Sequence, residues 1–197
     1  MFFVLIAIVV IAVITIFLIF YYKNQKNGNN SINKSEEDII SDILNMKCYN
    51  AKINITIETN KNKTDYVVTQ KLENGKAVQE VVKPENIAGV VTEYDGEKLV
   101  IRNSKLDLET TFQNYQYLVE NRLWLDSFVE EYKNLNSSKQ ESNEREIILE
   151  VQRNDNPYNV MKKLYIDKNT GKPLKLTVQD INQKTIVYIL YTEIDIS

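Results

Sequence analysis

Residues 161–196, MKKLYIDKNTGKPLKLTVQDINQKTIVYILYTEIDI, leave the chain little choice but an antiparallel sheet. In the middle of the stretch Leu174, Leu176 and Val178 alternate with Lys175, Thr177 and Gln179. Strict alternation marks a strand with one buried and one wet face. Leu164 and Ile166 repeat the pattern just before it. The last segment differs, because Ile186, Val187, Tyr188, Ile189, Leu190 and Tyr191 are apolar on both faces. A strand of that kind is expected to be covered on both sides.

More strands precede these. Ile53, Ile55 and Ile57 alternate with Lys52, Asn54 and Thr56. Asn74-Gly75 separates residues 66–73 from 76–83, and Asp95-Gly96 separates 90–94 from 97–101. Both dipeptides suit the two positive-φ positions of a type I′ hairpin turn. Pro84 is expected to part the third strand from the fourth. Residues 106–112 suggest a further strand, with Leu106, Leu108, Thr110 and Phe112 on one face. Residues 144–153 return to strand through Ile147, Leu149 and Val151, and residues 154–157 turn the chain into the final meander. The polar stretch 136–143, NSSKQESN, reads as a loop.

Two helices interrupt this series. Ser35 and Asp38 have capping-box spacing, and Ile39, Ile40, Ile43, Leu44 and Met46 form an apolar stripe. The acids Glu37, Asp38 and Asp42 read as a solvated helix start and not a cation site. The second helix is expected over residues 115–135, with Leu118, Trp124, Leu125, Phe128, Val129, Tyr132 and Leu135 on one stripe. Val119 and Leu123 fall outside that stripe. The surplus apolar residues make Leu118, Val119, Leu123, Trp124 and Phe128 the candidate lining of an apolar cavity or a partner contact, against the plainer reading of core packing.

The N-terminus is a separate region. Residues 2–22 are apolar except for Thr15. About twenty residues rising about 1.5 Å each match a bilayer core of about 30 Å. No charge precedes the run and no small-residue cleavage site follows it, so it reads as an uncleaved anchor with Tyr21 and Tyr22 at the interface. Residues 23–34, KNQKNGNNSINK, are too polar to fold and read as a tether. The organisation is thus anchor 1–22, tether 23–34 and folded domain 35–197.

Chemistry is narrowed by what is missing. Histidine is absent, which removes imidazole acid–base catalysis and most zinc sites. The single cysteine, Cys48, has no internal disulfide partner and reads as a small apolar residue on the first helix. A net charge of −3 gives no basic field for nucleic acid. No phosphate-binding glycine motif occurs. We find no catalytic, cofactor-binding or metal-ligating set, and expect no enzyme.

Eight to ten short antiparallel strands, one leading helix and one inserted helix make an α+β protein whose sheet curves over a helix or closes toward a barrel. With LYIDKNTGKPLKLTVQDINQKTIVYILYTEI at its end and DGEKLVI midway, residues 35–196 resemble the LolA/LolB-like lipoprotein-carrier family, and within it the clostridial GerS-related proteins. The resemblance implies an unclosed antiparallel barrel with helices across its concave face. It also implies one of two roles: carriage of lipid acyl chains, or GerS-like binding of a cell-wall amidase, CwlD, during sporulation. The lipidated cysteine of such lipoproteins has no counterpart here, and the 2–22 helix would replace it. The resemblance implies a domain outside the cytoplasm. Lys23, Lys26 and Lys34 after the apolar run argue for the opposite side, but long domains translocate largely regardless of charge.

Overall fold

Hairpins set the architecture of this protein. Asn74 and Gly75 both adopt positive φ (53° and 74°), and they close β2 (Lys63–Glu73) onto β3 (Lys76–Lys83) with Glu73 opposite Lys76. This is the type I′ pattern expected of Asn-Gly. The Asp95-Gly96 hairpin between β4 (Val90–Tyr94) and β5 (Lys98–Asn103) is built otherwise. Only Gly96 is left-handed there, and Asp95 accepts from the Glu97 and Lys98 backbone N–H groups at 3.1 and 3.0 Å. The aspartate side chain makes the turn itself, so the loop is longer and the second positive φ is not needed.

The computed structural model describes residues 34–103, 105–113, 123–136, 138–153 and 160–197. The apolar run 2–22, nearly all of the tether and the turn expected over 154–157 lie outside the described residues. Among the described residues no helix is long and apolar enough to cross a membrane. The folded unit spans Lys34–Ser197.

The strands form one antiparallel sheet in the order β6-β5-β4-β3-β2-β1-β11-β10-β9-β8-β7. The remaining members are β1 (Tyr49–Glu58), β6 (Leu108–Gln113), β7 (Lys139–Ser142), β8 (Glu146–Gln152), β9 (Met161–Asp167), β10 (Pro173–Gln179) and β11 (Thr185–Ile196). The sheet is unclosed, with β6 and β7 as its edges. Its centre is the pairing of β1 with β11, which brings the start and end of the domain together. Cys48 and Ser197 extend that pairing, each donating to the other's carbonyl at 3.0 Å.

One face of the sheet is apolar and carries the helices. A row of side chains crosses it through Ile55, Ile189, Leu176, Leu164 and Leu149, each directly opposite the next and all buried. Each such side chain contributes on the order of 1.5–3 kcal/mol by leaving water. The capping box of α1 (Glu36–Leu44) is formed, with Ser35 Oγ accepting from Asp38 N, and Ile39 and Ile43 are buried. The second helix, α2 (Leu125–Asn134), buries Leu125, Phe128 and Val129.

Several expectations are corrected. The outer side of β11 is not covered: Tyr188 and Leu190 are 44% and 49% exposed, while Val187, Ile189 and Tyr191 on the inner side are buried. Two-faced apolarity here does not reflect two-faced packing. The second helix is not continuous through Trp124, which is the extended N-cap residue (φ −105°, ψ 154°) of α2; of the span expected, residues 115–122 lie outside the described residues. The polar segment read as a loop contains β7, because backbone pairing to β8 requires no apolar side chain. Cys48 lies just before β1 and not on a helix. Leu106 precedes β6, which starts at Leu108. Leu174 is half-buried at a register shift between Pro173 and Lys175, where a bulge breaks the alternation.

A candidate binding cavity beneath the second helix

The site is built where α2 crosses the inner face. A second row of inner-facing residues runs Phe112, Leu99, Tyr94, Ala77, Leu72 and Tyr49 across β6, β5, β4, β3, β2 and β1. The middle of this row floors a cavity of about 550 Å³. Asp126, Val129, Glu130 and Lys133 of α2 and Leu44 and Met46 at the end of α1 line its other walls. Cys48 and Lys47 complete one side. The lining is mainly apolar, with charge confined to the helix and Lys47.

Two polar clusters fix α2 over the sheet. At its start, the Tyr49 hydroxyl donates to Asp126 Oδ1 at 3.1 Å. Gln79 Oε1 accepts from the Trp124 indole N–H and from Gln70 Nε2, both at 2.9 Å. Gln70 and Gln79 face each other on β2 and β3. These bonds hold Trp124 in extended backbone and explain why the helix starts after it. Burial, reinforced by the Asp126 charge, pushes the Tyr49 hydroxyl well above its usual pKa, and the same causes raise that of Tyr191. Both phenols therefore stay neutral beside the Asp126 carboxylate.

Farther along α2, Glu131 Oε1 accepts from Lys162 Nζ at 2.6 Å and stands 3.5 Å from an Arg153 guanidinium nitrogen. Lys162 is 2% exposed and sits between Val151 and Val178 on the inner face. Its burial follows from phase: it lies two residues before Leu164 and four before Ile166, so alternation turns it inward.

The structure places the sequence-derived candidates as follows. Phe128 is fully buried and stacks on Tyr132, with ring centroids 6.1 Å apart. Trp124 is buried against Gln79, and Leu123 is half-buried beside it, its carbonyl 3.5 Å from Gln70 Nε2. None of these three lines the cavity. Leu118 and Val119 lie outside the described residues. The cavity residues were missed because they come from several separate elements. Among the described residues no group of three His, Cys, Asp or Glu side chains is placed to hold a metal ion.

Comparison with known proteins adds the family. An uncharacterised conserved protein from Thermus thermophilus has the same architecture, with a TM-score of 0.55, 11% identity, and 83% of this chain and 88% of that chain covered. The structure of the CwlD amidase from Clostridioides difficile in complex with the GerS lipoprotein gives a TM-score of 0.53 at 23% identity, over 82% of this chain and 96% of that chain. A LolA superfamily protein from Nitrosomonas europaea superposes at a TM-score of 0.44 and 9% identity, over 83% of this chain and 94% of that chain. The chain from the amidase–GerS complex thus shares the fold expected from the GerS-related resemblance of the sequence. No curated protein matches the sequence significantly. The pattern that defines the family "Sporulation protein YdcC-like" matches residues 3–196. The chain therefore belongs to the YdcC-like family of sporulation proteins.

Proposed function

We propose that this protein is a membrane-anchored, non-catalytic adaptor of the cell envelope that binds a partner protein, with a cell-wall amidase as the first candidate. The observation that carries this reading is the packing of α2 onto the inner face, fixed by the Lys162–Glu131 pair. A carrier needs an open apolar concavity. Here Leu125, Phe128, Trp124 and the Lys162–Glu131 pair close the part of that face beneath α2, and the cavity beside them carries the charged Asp126, Glu130 and Lys133 in its wall. The family match begins at residue 3, so the apolar N-terminal run belongs to the same pattern as the folded domain. The shared fold with a chain from the amidase–GerS complex supports the choice of partner.

A second reading rests on the cavity of about 550 Å³, whose apolar floor suits an acyl chain or similar ligand. A stoichiometric lipid in organic extracts of the purified chain would favour it over the adaptor.

The adaptor reading in its cell-wall form places the domain outside the cytoplasm. Lys139, on the exposed edge strand β7, is the position to test, since its side chain is 63% exposed. In a Cys48→Ser background, Lys139→Cys in intact cells is expected to react with a membrane-impermeant thiol reagent. Labelling only after lysis would put the domain inside and end the cell-wall form of the proposal.

A further inference from the structure

The outer face of the sheet carries a groove of its own. Its floor is a row of outward side chains, Lys175, Leu190, Asn54, Val67 and Lys83, each directly opposite the next across β10, β11, β1, β2 and β3. Four strand spacings of about 4.8 Å set the two lysine positions about 19 Å apart. Tyr188, Thr56 and Asp65 form the adjoining row. Together these residues line about 550 Å³ on the side of the sheet away from α2. Residues 49–103 and 160–197 supply this part of the face and its turns, and all of them are among the described residues.

The chemistry of the groove selects its occupant. Apolar and polar groups alternate along both rows. Leu190 and Val67 flank the Asn54 amide, and Tyr188 lies beside Thr56, whose hydroxyl donates to Asp65 Oδ1 at 2.5 Å. An all-apolar occupant would strip water from Asn54 and Asp65 and return no hydrogen bond. A wholly polar one would leave the exposed Tyr188 and Leu190 without cover. Charge adds a third requirement. Lys175 sits 4.1 Å from the centre of the Tyr165 ring, and among the described residues neither it nor Lys83 has a carboxylate within ion-pair distance. The occupant therefore joins apolar faces, hydroxyl or amide groups, and negative charge. A pyranose ring presents C–H faces to a tyrosine and hydroxyls at its rim. An N-acetyl group suits the Asn54 amide, and carboxylates suit the lysines. Cell-wall glycan strands combine all of these, with N-acetyl groups on their sugars and carboxylates on their peptide stems.

We propose that this outer groove binds cell-wall peptidoglycan, with Tyr188 stacking on a sugar ring, Asn54 bonding to an N-acetyl group, and Lys83 and Lys175 pairing with carboxylates on either side. The groove lies on the face opposite α2 and the cavity beneath it, so it requires nothing of the amidase partner and stands or falls separately from it.

Co-sedimentation of the full chain in detergent with purified sacculi, stripped of protein and of phosphate-bearing polymers, tests the proposal. Binding is expected to saturate with added sacculi, and soluble fragments released by a muramidase are expected to compete. Tyr188→Ala is expected to weaken binding on the order of tenfold, the loss of one stacking contact. Lys83→Gln combined with Lys175→Gln is expected to weaken it at low salt, and less so as salt is raised. Ile181→Ala, at an exposed residue of the β10–β11 turn outside the groove, is expected to change nothing. All three chains are expected to keep the unaltered urea midpoint, since the replaced side chains lie on the surface. Four results would each overturn the proposal: no sedimentation of the unaltered chain, sedimentation lost once the phosphate polymers are removed, sedimentation that survives both groove variants, or equal Tyr188-dependent binding to vesicles of anionic phospholipid. Whether an amidase co-elutes has no bearing on any of these readings.

Discussion

Replacing Glu131 with alanine is expected to destabilise the domain by about 3–5 kcal/mol, the loss that follows when one partner of a buried ion pair is removed. The carboxylate accepts from Lys162 at 2.6 Å and lies 3.5 Å from Arg153. Without it, two buried cations lose the acceptor they share beneath α2 and their mutual repulsion is no longer offset there. Lys162 is held between Val151 and Val178, so its ammonium cannot swing into water without breaking the β8–β9–β10 packing. Lys162→Met is expected to do far less harm, since Glu131 keeps Arg153 and an apolar side chain suits the valines. Urea unfolding read by the fluorescence of Trp124, the chain's single tryptophan, measures both substitutions. A loss under about 1 kcal/mol for Glu131→Ala would mean that water already reaches the pair, since exposed pairs are worth no more than that.

Leu176→Ala is expected to cost about 2–5 kcal/mol, combining lost transfer energy with the cavity left behind. Leu176 is 0% exposed and directly opposes Ile189 on β11 and Leu164 on β9. These neighbours sit in paired strands whose backbones are held from both sides, so the hole has little means of closing. The upper half of the range is therefore the better expectation. A loss below about 0.5 kcal/mol would show the strand in the opposite phase, because only a surface leucine is truncated so cheaply.

Much of this architecture was legible because its determinants are local. Asn74-Gly75 fixes its hairpin through two positive-φ residues, and Ser35 with Asp38 fixes the start of α1 through two neighbouring hydrogen bonds. The alternation of β1, β8 and β9 follows from burial of one face. The failures share a different physics. β7 is held by backbone pairing alone, which leaves no side-chain signal. Trp124 is taken out of the helical pattern by Gln79, 45 positions away in sequence. The apolar outer residues Tyr188 and Leu190 look like a second buried face, yet they stay in solvent. The cavity gathers Leu44, Leu72, Tyr94 and Val129 from elements that only the completed sheet brings together. Lys162 is the exception, since its parity with Leu164 and Ile166 already points it inward. A buried lysine calls for an acid, and Glu131 answers from α2.

The central claim is that the folded domain binds a cell-envelope enzyme and is not a lipid shuttle. It is tested by mixing the full chain in detergent with each purified cell-wall amidase of the same organism and following the mixture by size-exclusion chromatography. The adaptor account predicts a saturable complex with one of these amidases, and no stoichiometric lipid in organic extracts of the domain. Failure of every amidase to co-elute, together with a stoichiometric bound lipid, would contradict it.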